Sequence, residues 1–106
     1  TTLSSPCFDA SLEEVFAPLC CGATLVLPEA DVLTSHERLL SLAESTRLTV
    51  LDMPTSLWRE LTNYLADAGR EFPFTVRALM TGGERATAAT FAKFLRVGGD
   101  RIRWFN

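Results

Sequence analysis

Three times along this chain an apolar stretch runs into a short polar turn and then a helical pattern: at Phe8-Asp9-Ala10-Ser11, at Asp52-Met53-Pro54-Thr55-Ser56 and at Leu79-Met80-Thr81-Gly82-Gly83-Glu84. This alternation constrains the fold most. Strands separated by helix-length connections have room for crossovers, which parallel pairing requires, so the pattern implies a parallel sheet with helices on its faces. In such a sheet every strand-to-helix junction falls at the carboxyl ends of the strands, where ligand crevices form. The three junctions should therefore converge on one pocket.

Between the junctions the pattern predicts the following elements. Leu12, Val15, Phe16, Leu19 and Cys20 recur at helical spacing as a core-facing stripe, with Ser11 and Glu14 as a capping box and Gly22 as the stop. Pro18 lies inside that helix and should kink it or mark a late break. Thr24-Leu25-Val26-Leu27-Pro28 predicts a buried strand. Thr34 with Glu37 predicts a second capped helix carrying Leu39, Leu40, Leu42 and Ala43. The next strand, Leu48 to Met53, ends at Pro54, and Thr55 is placed to cap a helix with Leu57, Trp58, Leu61, Tyr64 and Leu65 that stops at Gly69. A strand from Thr75 to Met80 feeds the glycine turn. Thr87 then caps a helix with Ala88, Phe91, Phe94 and Leu95 inward, stopped by Gly98-Gly99, before a last strand from Arg101 to Phe105.

Composition narrows the function classes. The chain has 106 residues, 47% of them apolar and 22% charged, with a net charge of −3. This is the balance of one small globular unit able to bury about 60–65% of its unfolded surface. Basic residues are scattered, so there is no electrostatic footprint for nucleic acid or an anionic membrane. No apolar run reaches the length of a membrane span. Cys7, Cys20 and Cys21 with a single histidine make no convincing metal set, which fits a reduced, cytoplasmic protein. The start lacks an initiator Met, so a single subdomain spanning residues 1–106, cut from a longer protein, is expected.

Read alone, the junction residues have ordinary roles open to them. Asp9 suits the positive end of a helix dipole, and Glu13 suits a solvated first turn. Asp52 suits a strand end facing water, and Gly82-Gly83-Glu84 suits a plain turn. The turn is not a phosphate loop, since neither G-x-x-x-x-G-K-[ST] nor G-x-G-x-x-G occurs. His36 reads as a solvated residue of a capping turn, and Trp58 and Trp104 as packing aromatics.

The order of the motifs adds a second reading. FDxS at Phe8 to Ser11, Pro54-Thr55-Ser56 before an aromatic-bearing helix, Thr81-Gly82-Gly83-Glu84, and a last strand ending in Asn106 resemble the amino-acid adenylation domains of non-ribosomal peptide synthetases, over nearly the whole chain. The resemblance implies a three-layer αβα subdomain with a mostly parallel sheet, flavodoxin-like in layout. It implies that Asp9 binds the substrate's α-ammonium, a natural task for a carboxylate. It implies that Asp9, Ala10, Glu13, Asp52, Met80 and Gly82 line the amino-acid pocket, with Ser56 the nearby substitute for Asp52. Gly83, Glu84 and Arg85 would meet the nucleotide, the glycine backbone lying close to adenine. The implied cofactors are ATP and Mg2+, with phosphopantetheine on a partner carrier protein.

Small residues at Ala10 and Gly82, with two carboxylates facing the pocket, resemble combinations the family uses for lysine. Two such acids call for a second cation on the substrate. No catalytic residue is assigned, because the family's phosphate loop, adenine-stacking aromatic, ribose-binding Asp and catalytic Lys all lie outside this segment. The segment alone is therefore expected to be inactive. The alternatives are a fragment of an acyl- or aryl-CoA ligase, whose substrates lack the amine that Asp9 would bind, and a non-catalytic α/β binding module.

Overall fold

The structure, a computed structural model, describes residues 10–29 and 31–106. Asp9 and the rest of the first junction's strand side lie outside them. Four helices are described: α1 (Ala10–Cys20), α2 (His36–Ser45), α3 (Thr55–Ala68) and α4 (Ala88–Phe94). Three strands, β1 (Val50–Pro54), β2 (Ala78–Gly82) and β3 (Arg103–Phe105), form a parallel sheet in the order β1-β2-β3. Helix α3 makes the crossover from β1 to β2, and α4 the crossover from β2 to β3. This is the α/β class with a parallel sheet that the alternation implies, consistent with a three-layer αβα subdomain.

Period-2 alternation decides which way each strand residue points. Leu51 and Met53 of β1 and Leu79 of β2 face a core shared with Leu39, Leu40 and Ala43 of α2, Trp58, Leu61 and Leu65 of α3, and Phe94 of α4. Trp58 sits at its centre, fully buried, stacked on Trp104 at 5.2 Å and edge-on to Phe94 at 5.7 Å. Both tryptophans are packing residues, as the sequence reads. Phe72 extends the aromatic chain, its ring 5.7 Å from that of Phe94.

Helix ends are fixed largely by local chemistry. Gly22, at φ 70°, closes α1 with the amides of Gly22 and Ala23 bonded to the carbonyls of Leu19 and Pro18, the paired arrangement of a left-handed cap. Pro18 thus stands one turn before the end and marks a late break. Gly69 ends α3 in the same way, with Arg70 N–H on Leu65 O at 2.9 Å. The Thr87 hydroxyl accepts from Thr90 N–H at 3.2 Å and caps α4 as expected. After α4 a wide turn, Leu95–Gly99, brings the chain to β3. A side chain at Gly99 would put its Cβ 2.7 Å from the carbonyl of Phe94, so that position admits no other residue without a shift.

Several expectations are corrected. Thr24 to Pro28 form no strand. An apolar run becomes a strand only with a partner for its backbone, and here Val26 packs on the core from the side while Leu27 is 69% exposed. The α1 stripe does not face the core: Leu12, Phe16 and Leu19 are each more than half exposed, whereas Glu14 is buried. Helical spacing reveals a stripe, but what covers it is a tertiary matter. Ser11 lies inside α1 and so is not its cap.

Thr34 belongs to a 3-10 turn, Val32–Thr34, and bonds Asp31 O at 2.6 Å, so α2 starts one residue later than expected, at His36, with Ser35 at its N-cap. Glu37 does not reach back as a capping-box residue; it accepts from Tyr64 Oη at 2.5 Å and Arg70 Nη1 at 2.6 Å. The Tyr64 hydrogen bond, aided by the Arg70 charge, holds the Glu37 carboxyl below the usual range. His36 is two-thirds covered rather than freely solvated, its ring 5.2 Å from that of Tyr64. β2 begins at Ala78, three residues later than expected, because Val76 N–H closes a turn on Pro73 O and the amides of Arg77 and Ala78 share Thr49 O. Ala88 and Leu95 point outward from α4, and Val97 takes the buried place instead.

Candidate functional site

The carboxyl ends of the three strands lie side by side, as the junctions require. Pro54 pairs with Gly82 in register, and Met80 with Phe105. Residues alternating with the buried Leu51, Met53 and Leu79 fall on the opposite, open face of the sheet. They include Val50, Asp52 and Pro54 of β1, Ala78, Met80 and Gly82 of β2, and Arg103 and Phe105 of β3, with Val50, Met80 and Phe105 each more than a third exposed. Three of the expected pocket residues, Asp52, Met80 and Gly82, are therefore on one face. Asp52 and Met80 are cross-strand partners and Gly82 is two residues further along β2.

Ala10 is the first residue of α1 and Glu13 lies in its first turn. Asp9 lies outside the described residues. Ser56, the substitute for Asp52, is the second residue of α3 and half-buried there. Of the expected nucleotide residues, Gly83, Glu84 and Arg85 follow β2 on an exposed turn. Gly83 has φ 90°, a left-handed backbone for which glycine is suited, and a Cβ added there would meet nothing within 4 Å. The Glu84 carboxylate is 3.6 Å from Arg59 of α3, with both side chains about half exposed, a pairing of little energetic weight.

Sequence reasoning missed the residues that hold these ends together. Thr55, placed by the sequence as the cap of α3, is instead its first helical residue, with Pro54 at the N-cap position. Its buried hydroxyl crosses to the neighbouring strand end and shares its one proton between Gly82 O at 3.0 Å and Glu84 O at 3.2 Å. Asn106 Nδ2 donates to Thr81 Oγ1 at 2.9 Å and Thr55 Oγ1 at 3.4 Å, and Thr81 Oγ1 donates to Phe105 O at 3.2 Å. One amide and two threonine hydroxyls thus tie β1, β2 and β3 at their carboxyl ends. The only sequence signal was polar, β-branched residues at the ends of apolar strands.

Among the described residues no three His, Cys, Asp or Glu side chains gather to hold a metal ion. No described helix is long and apolar enough to cross a membrane. Two concavities lie away from the candidate face. One, of about 390 Å³, is lined by residues including Arg70, Lys93 and Arg96, and the other, of about 380 Å³, by residues including His36, Glu60 and Tyr64. Neither contains a junction residue.

Comparison with known proteins bears on this geometry. The profile described as "AMP-binding enzyme" matches residues 2–104. The chain is similar to an isonitrile lipopeptide synthase of Streptomyces coeruleorubidus, 35% identical over 99 residues that cover 93% of this chain and 7% of that protein. It is similar to malpibaldin synthetase of Mortierella alpina, 38% identical over 103 residues covering 97% of the chain and 2% of the relative. Bacitracin synthase 1 of Bacillus licheniformis is 33% identical over 101 residues, 94% of the chain and 2% of the relative. The chain thus spans 2–7% of the length of these relatives.

Proposed function

This chain belongs to the AMP-binding enzyme family, and from that premise we propose that it forms the amino-acid-recognising part, and a portion of the ATP site, of an adenylation domain in a longer peptide synthetase. The full-length protein would join an amino-acid carboxylate to the α-phosphorus of ATP, giving aminoacyl-AMP and pyrophosphate. It would then pass the acyl group to the phosphopantetheine thiol of a carrier protein. ATP, when bound, would supply the activated phosphorus. Residues of this chain bind and orient. The relatives are named as synthases and synthetases of peptides, bacitracin among them, which supports a place in antibiotic-type biosynthesis.

The observation that carries the reading is the common open face of Asp52, Met80 and Gly82, which ends in the exposed Gly83-Glu84 backbone. That juxtaposition supports a reading in which the face meets the substrate's side chain and the adjoining turn meets the nucleotide. In this reading Asp9 takes the α-ammonium and Ala10 leaves depth in the pocket. Glu13 and Asp52 meet a distal cation, so lysine or another basic amino acid is the substrate. Gly83, Glu84 and Arg85 meet the nucleotide, with Glu84 contributing chiefly its backbone. The chain on its own lacks the remaining nucleotide groups and does not adenylate.

Asp9 separates this reading from a CoA ligase or a non-catalytic module. In the full-length protein Asp9→Ala should weaken the amino acid by about 2–5 kcal/mol, the usual cost of leaving a buried charge without its partner. Amino-acid-dependent pyrophosphate exchange measures it. An unchanged KM for the amino acid would return Asp9 to the role of a helix-start anion.

A further inference from the structure

We propose that Thr55 is a positioning residue for the nucleotide, its buried hydroxyl pinning the Gly82-Gly83-Glu84 turn in the shape that receives the adenine ring. The inference rests on the adenylation reading above and assigns a task within it to a residue outside the expected set. Thr55 is 2% exposed, and its Oγ1 lies 3.0 Å from Gly82 O and 3.2 Å from Glu84 O, the carbonyls on either side of Gly83. A glycine turn has few side-chain contacts of its own, and among the described residues nothing lies within 4 Å of where a Cβ on Gly83 would stand. Its shape must be set from outside. A hydroxyl bridging its two flanking carbonyls does so.

The direction of each hydrogen bond supports the assignment. A hydroxyl has one proton to give and two lone pairs to receive with, whereas the Asn106 amide nitrogen only donates. Asn106 Nδ2 at 3.4 Å fills an acceptor site on Thr55 Oγ1 and leaves the threonine proton for the turn. The same amide at 2.9 Å leaves the Thr81 proton for Phe105 O. The order Asn106 to Thr55 to the turn therefore runs one way, from the end of β3 through the start of α3 to the glycines. Thr55 touches no substrate in this scheme; it acts through the backbone of residues 82–84.

The test compares Thr55→Ser, Thr55→Cys and Thr55→Val in the full-length protein by amino-acid-dependent pyrophosphate exchange. Serine keeps the hydroxyl, cysteine offers a weak donor, and valine keeps the shape with no donor. KM for ATP should stay near wild type in the serine variant and rise roughly tenfold in the valine variant, with cysteine between. The KM for the amino acid should change much less than that for ATP, since Asp52 and Met80 of the open face lie outside the pinned segment 82–84. That split is not what a general loss of stability produces. If valine does not fold, the serine and cysteine variants carry the same ordering. An ATP KM that is flat across the folded variants, or both KM values rising together, would overturn the proposal while the adenylation reading stands. A wild-type protein with no exchange activity would overturn both.

Discussion

Replacing Trp58 with alanine should destabilise the domain containing this chain by about 3–5 kcal/mol, the usual range for removing a large aromatic from a packed core. Trp58 is fully buried and joins three elements at once: it projects from α3, stacks on Trp104 of β3 and meets Phe94 of α4 edge-on. An alanine there leaves a void that the sheet on one side and two helices on the other cannot collapse to fill. Trp58→Phe should cost much less. The indole N–H is buried with no hydrogen-bond partner among the described residues, so phenylalanine removes that donor while keeping most of the ring contact. Denaturant unfolding of the two variants checks this. Equal losses for alanine and phenylalanine would show that the stacking with Trp104, rather than the filled volume, carries the stability.

The second large effect is on substrate choice. If Glu13 and Asp52 pair with a distal ammonium, the full-length protein should prefer lysine over norleucine on the order of a thousandfold in kcat/KM, following the about 3–5 kcal/mol cost of leaving a buried charge without its partner. Norleucine has lysine's chain length and lacks only the cation, so packing differences largely cancel. Ornithine should rank between them. Glu13→Gln keeps the size and loses the charge, and it should lower lysine activation and narrow the gap. Equal activation of lysine and norleucine by the wild type would dismiss the ion pair and leave Glu13 on a solvated first turn.

How far the sequence led differs from element to element, for physical reasons. α3 was legible apart from its cap, because its apolar stripe, the preceding proline and the Gly69 stop are all local signals. The same holds for the Thr87 cap of α4. The shared face of Asp52, Met80 and Gly82 follows from strand alternation once β1 and β2 are placed. What failed was information held elsewhere in the fold. Thr24 to Pro28 has a strand's composition, but a strand exists only by pairing. The α1 stripe has a helix's period, yet the period does not say which face is covered. Thr55 had a cap's position, and its hydroxyl was drawn instead to carbonyls 27 and 29 residues away, because buried acceptors at a strand end take the nearest donor.

The central claim is that the protein containing this chain activates an amino acid with ATP. Pyrophosphate exchange by the purified full-length protein, run against a panel of amino acids and matched carboxylic acids lacking the α-amine, tests it most directly. The prediction is ATP-dependent exchange that requires the α-amine and is strongest with a basic amino acid. Exchange supported equally well by the acids without the α-amine, or no exchange with any member of the panel, would contradict it.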